Sequence, residues 1–414
     1  ADVFVSFADV VDKRQWNCFG MCVLYIALGD RVGLPIRMVS GRGHALVHCT
    51  GTPYYIETTA AGRVYEGIDY LAKYLPFPCL DPREYKPVPT REAVAVLLTQ
   101  TGAALTAQGN PDVALSCYRH ALAFDRDHAE AHAALGFLYS QLGRIDGAIE
   151  AFRSAIEADP KLREAYGGLG SAFHAKGDLA GAAQALRRAV ELCGKQPEPI
   201  FNLGQVLYED GDWNGSIEAF RNYTALAPRD SDGFVRLAFP LEDAGKLDEA
   251  LAAYREALRL KPDHADALVN SGAILEEQNK WDAAREMYAT CLKNSPGNAL
   301  AYAGVGRVFA AQDRPDDAAK AFARSLELDN GNPATWIDFA KLERKRGNIA
   351  GAIEKLEHAL AINPAEPETH IELALAHQAR GETLQATEHA RAAAELGAKV
   401  PESLHPLLDA TRIK

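Results

Sequence analysis

Cysteine is scarce in this chain, seven among 414 residues. That is too few, and too irregularly spaced, for a disulfide framework, and it favours a reducing, cytoplasmic setting. No run of 18 or more apolar residues occurs, so no membrane-spanning helix is expected. Basic residues are outnumbered: 44 Lys and Arg against 56 Asp and Glu leave a net charge of −12. A nucleic-acid surface needs a basic stripe, so nucleic acid is not an expected partner. Metal-ligand spacing is missing too. Cys18 and Cys22 form one Cys-x3-Cys pair with no second pair, a poor zinc site. No metal and no cofactor are expected. No signal peptide is visible; the sequence opens on Ala1, and a trimmed leader with an exported or periplasmic location stays open.

What the chain does have is a period of 34 residues from about residue 95. One column holds Gly102, Gly136, Gly170, Gly204, Ala238, Gly272, Gly306, Ala340 and Ala374. Twelve residues on, a second holds Ala114, Ala148, Ala182, Ser216, Ala250, Ala284, Ala318, Ala352 and Ala386. All eighteen are small, which ordinary composition does not produce. Four residues after the second column comes a large residue, Tyr118 or Phe152 for example, lapsing to Ala390 in the ninth unit. Two helices per unit explain the pattern. Small residues let the paired backbones approach, and the large residue fills the space between neighbouring units. Gly143, Gly177, Gly211, Gly245, Gly347 and Gly381 fall where a first helix must end. Pro160, Pro228, Pro262, Pro296 and Pro364 stop second helices.

This pattern resembles the tetratricopeptide repeat (TPR), with nine units over residues 91–400 and a capping helix at 401–414. The resemblance implies an α-solenoid whose first helices line a concave groove for a protein or peptide partner. Asn202, Arg236, Glu242, Asn270, Glu276, Arg307 and Lys341 are the expected groove residues, with Asp243, Glu277, Arg344 and Lys345 beside them. The inward columns of units four to six, Glu209 among them, read as acidic, and the groove reads as basic further on. The asparagines would bond a partner's backbone and the carboxylates would attract its Lys or Arg. The Lys/Asn/Asn/Lys/Arg clamp with which some members hold chaperone tails is missing. Self-association is a further open use of the solenoid.

The first 75 residues follow another plan. Asn17 is a good N-cap for a helix from Cys18 to Arg31, ended by Gly33 and Pro35. Ile36 to Val39 reads as a strand. His44–Cys49 and Tyr54–Thr59 read as a hairpin around Thr50-Gly51-Thr52-Pro53. Two registers fit that turn: one sets Leu46 opposite Glu57 with His44 diagonal to it, the other sets His44 opposite Glu57. Either lets Glu57 orient His44 and His44 take the proton of Cys18, whose helix-end position favours a thiolate. Pro76, Pro78, Pro82, Pro87 and Pro89 make residues 76–90 an expected stiff linker.

NCFGMCVLYIALGDRVGLP, GHALVHC and IETTAAGR are similar to the bacterial transglutaminase-like family. That resemblance implies Cys18 as nucleophile, His44 as base, Glu57 as orienting acid, and acyl transfer at amides without a metal. The expected architecture is therefore mainly α: a TPR solenoid carrying a small N-terminal α+β transglutaminase-like domain. Two functions stay open, an interaction scaffold with an auxiliary module, or a cysteine-dependent amidase or protease whose solenoid delivers substrate.

Overall fold

A computed structural model describes residues 36–41, 44–49, 54–57, 63–66, 86–88, 90–194 and 196–409. It divides into two compact parts, residues 1–212 and 213–414, called here the N-terminal and C-terminal halves. Nineteen α-helices occur among the described residues, and eight of the nine successive pairs made by the first eighteen lie within one half. The N-terminal half carries α1 (Thr90–Ala107), α2 (Pro111–Phe124), α3 (Ala129–Gln141), α4 (Ile145–Ala158), α5 (Arg163–Lys176), α6 (Leu179–Cys193) and α7 (Pro197–Glu209). The C-terminal half carries α8 (Trp213–Leu226), α9 (Ser231–Asp243), α10 (Leu247–Leu260), α11 (Ala265–Glu277), α12 (Trp281–Asn294), α13 (Ala299–Ala311), α14 (Pro315–Leu328), α15 (Pro333–Lys345), α16 (Ile349–Ile362), α17 (Pro367–Ala379), α18 (Thr383–Glu395) and α19 (His405–Asp409). Repeat 1 is α1 and α2, and repeat 9 is α17 and α18.

The turn inside each repeat needs one left-handed residue. Gly143, Gly177, Gly245, Gly347 and Gly381 supply it with φ of +70° to +82°. In repeats 6 and 7 the same slot holds Asn279 and Asp313, at φ 57° and 56°. Asn and Asp tolerate this conformation better than other side chains, so the repeat continues where glycine is missing.

The small and large columns meet as one packing unit. A Cβ built on Gly102 falls 2.6 Å from the Tyr118 ring, and one on Gly306 falls 2.7 Å from Phe322. The large residue therefore packs on the glycine of its own repeat. It also reaches the next repeat: the Phe152 ring lies against Gly168, and the Tyr288 ring against Gly304. Phe152, Tyr254, Tyr288 and Phe322 are all essentially buried. Between repeats, first helices touch one another directly: α1 with α3, α3 with α5, α5 with α7 in one half; α11 with α13, α13 with α15, α15 with α17 in the other. The first-helix face is thus the continuous one in each half. At the far end Leu404 is fully buried among Ala374, Ala390, Ala393 and Val400, with Leu407 and Leu408 packed beside it. This seals the last apolar face, as a solenoid end requires.

Upstream lies a five-stranded antiparallel sheet: β1 (Ile36–Gly41), β2 (His44–Cys49), β3 (Tyr54–Glu57), β4 (Arg63–Glu66) and β5 (Lys86–Val88), in the order β4-β3-β2-β1-β5. Residues 86–88 were expected as part of a linker. They pair instead with Ser40, Val39 and Met38 of β1. Pro87 lacks the N–H that a central strand needs, but β5 is an edge strand, where proline is tolerated. The expected helix from Cys18 to Arg31 lies outside the described residues.

Candidate partner-binding interface

The first-helix face positions the expected groove residues, and the structure divides them. Asn202 on α7 is half-buried, and Arg236 on α9 is exposed, its guanidinium 5.9 Å from the centre of the Phe239 ring. The other five are engaged within the chain. The Tyr254 hydroxyl donates to Glu242 of the same repeat, and Asn270 Nδ2 from the next repeat donates to that hydroxyl at 3.2 Å. Burial pushes the Glu242 carboxyl up, the nearby Asp243 and Glu277 charges add to this, and the Tyr254 hydrogen bond opposes it.

One repeat on, the same design carries full charge. The Tyr288 hydroxyl donates to Glu276. Arg307 Nε donates to Glu276 Oε2 at 2.8 Å and Nη2 to Oε1 at 3.3 Å, a two-point grip. Its Nη1 continues to Asp338 Oδ2 at 3.4 Å. Burial pushes the Asp338 carboxyl up, against the pull of Arg307 and Lys341. Lys341 then bonds Glu368, and Arg344 Nη2 reaches Glu372 at 2.9 Å. Repeats 6 to 9 therefore carry a ladder of alternating charge along the first-helix face. The expected open basic stretch is largely neutralised from within. Asp338, Glu368 and Glu372 were not singled out from the sequence. Their signal was a recurring offset: Glu276 to Arg307 and Arg307 to Asp338 are each 31 residues apart.

Asp243 and Glu277 differ from this ladder. Both are exposed, and neither forms an ion pair among the described residues. They flank Glu242, so repeats 5 and 6 present the open negative charge of this face. In the N-terminal half the positions equivalent to Arg307 and Lys341 are uncharged, Ala103, Phe137 and Ser171, while those equivalent to Glu368 are Glu130 and Glu164. One polar link stands out there: His174 Nε2 donates to Glu209 Oε2 at 2.6 Å and holds that carboxyl below its usual range.

A family model described as tetratricopeptide repeat matches residues 100–162, 134–197 and 274–333, and one described as TPR repeat matches 243–279 and 340–381. Together they span more than half of the chain. The chain belongs to the tetratricopeptide repeat family. Two solved structures share the TPR fold at low identity. A tetratricopeptide repeat protein from Parabacteroides merdae is 18% identical, with a TM-score of 0.52, over 60% of this chain and 97% of its own. A chain of the APC/C hetero-tetramer Cut9-Hcn1 is 14% identical, with a TM-score of 0.50, over 76% of this chain and 75% of its own. No curated protein matches the sequence. Among the described residues of this TPR protein, no helix is long and apolar enough to cross a membrane.

Of the expected catalytic set, Cys18 lies outside the described residues. The backbone settles the hairpin register: Leu46 pairs with Glu57, so the His44 position is the diagonal neighbour of Glu57 on the ladder.

Proposed function

We propose that this TPR protein is a scaffold that takes a basic, extended segment of a partner protein along the first-helix face of repeats 5 and 6. The observation that carries the reading is the pair of open carboxylates, Asp243 and Glu277, beside half-buried Glu242 and within a family of interaction modules. Arg236 and Asn270 border the same face. Glu276 on the same face, and Arg307 and Lys341 beyond it, are engaged in the internal ladder and offer a partner less free charge. Long-range attraction to a basic segment raises its encounter rate and weakens with salt. Changing Glu242 or Glu276 would test this badly, because both hold buried tyrosine hydroxyls. Asp243→Lys with Glu277→Lys is the cleaner variant. Binding of a fluorescent Lys/Arg-rich peptide should weaken at least about tenfold, or about 1.4 kcal/mol, and lose most of its salt dependence. Equal affinity for wild type and variant would remove the proposal.

A second reading keeps the N-terminal segment, residues 1–75, as a transglutaminase-like domain with Cys18, His44 and Glu57 as nucleophile, base and orienting acid. The diagonal placement of His44 and Glu57 supports it. The test is a thiol-reactive substrate mimic applied from pH 5 to 9. Selective labelling of Cys18 below the ordinary thiol range of about 8.5, lost in His44→Ala, supports an amidase or protease. Labelling of Cys18 no faster than the other cysteines removes it.

A further inference from the structure

Three imidazoles gather in the last repeat, and the partner-binding reading uses none of them. His370 and His377 stand on α17, and His389 stands on α18. His389 lies between the other two: its ring centre is 5.3 Å from that of His370 and 5.6 Å from that of His377, the latter nearly parallel at 9°. Hydrogen bonding fixes the proton pattern. His370 Nε2 must donate to the Pro364 carbonyl oxygen at 3.0 Å, because a carbonyl only accepts. The His370 Nδ1 facing His389 Nδ1 at 3.1 Å is then bare when the ring is neutral, and His389 donates. The pair can share one extra proton by exchanging donor and acceptor. A second leaves two N–H groups face to face and breaks the bond. His377 completes the stack, its Nδ1 donating to Glu382 at 2.6 Å.

The surrounding charges relieve this stack only in part. Glu382 is shared with Arg380 at 2.9 Å. Glu388 on α18 faces His389 and favours its charge, but burial, followed by His370 and His377, outweighs it and holds His389 below the usual histidine range. On α17, Glu372 is taken by Arg344 of α15. His358 of α16 stacks on Trp336 instead, and His405 bonds the Val400 carbonyl. Among the described residues no group of three His, Cys, Asp or Glu side chains is arranged to hold a metal ion.

We propose that the ninth repeat is an acid-sensitive latch: below neutral pH, charge accumulating on the His370–His389–His377 stack separates α17 from α18 and frees the capping segment 401–409. The sign follows from linkage. A histidine held down in the folded state leaves stability intact above its unfolded value of about 6.5 and costs stability as pH falls through that value. The latch opens onto apolar surface, because Leu404 and Val400 pack on Ala374, Ala390 and Ala393.

The test is amide hydrogen exchange of the full chain at pH 7.5, 6.5 and 5.5, expressed as protection factors so that intrinsic exchange rates cancel. Peptides from 367–404 should lose about tenfold or more protection between pH 7.5 and 5.5, while repeat 7 changes little. His389→Asn keeps an N–H donor toward His370 without a titrating ring, and should abolish the difference. Ring-proton titrations of wild type give a second readout that needs no variant: His389 should titrate below about 6.5. A loss of protection that is uniform along the array, one that persists in His389→Asn, or a His389 midpoint at or above the ordinary value would each overturn the latch.

Discussion

Repeats 1–3 and repeats 6–9 share one packing scheme and differ in what they set on the first-helix face. In both, a large second-helix residue packs on the small column of its own repeat, as Phe152 does on Gly136, Leu186 on Gly170 and Tyr288 on Gly272; repeat 9 lapses to Ala390. On the face itself the early repeats place Ala103, Phe137 and Ser171 where the late ones place Arg307 and Lys341. Backbone geometry and surface chemistry are thus separable. The columns that set the curl are fixed at 34-residue spacing, while the positions between them vary freely. In the late repeats those positions join each repeat to the next through charge; in the early ones, apolar burial carries the interface.

The strongest way to break that contrast is Arg307→Ala. Glu276 and Asp338 are 11% and 22% exposed, and both would keep a buried carboxylate with its main counter-charge removed. Removing one partner of a fully buried pair costs about 3–5 kcal/mol. Arg307 is itself 35% exposed, so a loss of about 2–4 kcal/mol is expected here. It should appear as a lower urea midpoint and as lost exchange protection in α11, α13 and α15. No residue on the early face should show a comparable loss by the same mechanism.

A second test asks whether the packing scheme is truly shared. Gly304→Ala drives a methyl group into the Tyr288 ring, and Gly168→Ala drives one into the Phe152 ring. Overpacking of this kind costs about 1–3 kcal/mol, and both halves should respond alike. Gly167, beside Gly168 on the same helix, has open space where a Cβ would stand. Gly167→Ala should stabilise by up to about 1 kcal/mol, since alanine is the better helix former. Thermal melts of the three variants separate the cases.

This difference between columns also decides what the sequence makes legible. The repeat, its helix pairs and its buried rings are readable because they recur: Gly102 to Gly306 and Tyr118 to Phe322 answer one steric demand in every unit. The left-handed turn is readable where it is glycine and hidden where Asn279 and Asp313 stand in. Partner-binding positions are harder to read. Glu242, Glu276, Arg307 and Lys341 lie on first helices, but a list of residue types does not show that each meets another. Their engagement depends on offsets of 31 or 27 residues between repeats, and no single unit displays them. In the N-terminal segment, alternating strands gave the hairpin, while two turn registers were compatible with its four loop residues. The observed pairing of Leu46 with Glu57 selects one.

A subtler contrast is the sign of pH dependence on the two faces. Burial pushes Glu242 up, so its charge costs stability at neutral pH, and that cost is relieved as pH falls through the raised value. Glutamine at this position keeps an oxygen for the Tyr254 hydroxyl. Glu242→Gln should therefore raise the melting temperature at pH 7, by an amount that shrinks toward pH 4. Glu209 is the opposite case. The His174 hydrogen bond holds it down, so its contribution is present above the ordinary carboxylate range and lost as pH falls through the lowered value. Glu209→Gln should lower the melting temperature at pH 7 and converge with wild type in acid. Shifts of the same sign in the two variants would show that one electrostatic design serves both halves.

The smallest expected effect concerns a bond that the two halves share. One position at the end of the first helix or just past it reaches an Asp at the start of the preceding second helix, 30 residues back. Lys176 meets Asp146 at 2.7 Å, Gln278 meets Asp248 and Gln312 meets Asp282 at 3.2 Å, and Arg346 meets Asp316 at 2.9 Å. In the N-terminal half this is an isolated surface pair, with Lys176 54% and Asp146 82% exposed. Such pairs contribute about 0–1 kcal/mol and are screened by salt. Lys176→Ala should thus shift the urea midpoint by no more than about 0.5 kcal/mol, and not at all in 1 M salt. Arg346 makes the same reach and also contacts Glu343, which is 11% exposed and bonded to Asn348. Arg346→Ala should cost more than Lys176→Ala, and part of that excess should survive high salt. If both variants lose their whole effect in salt, the late repeats gain nothing from linking this bond to buried charge.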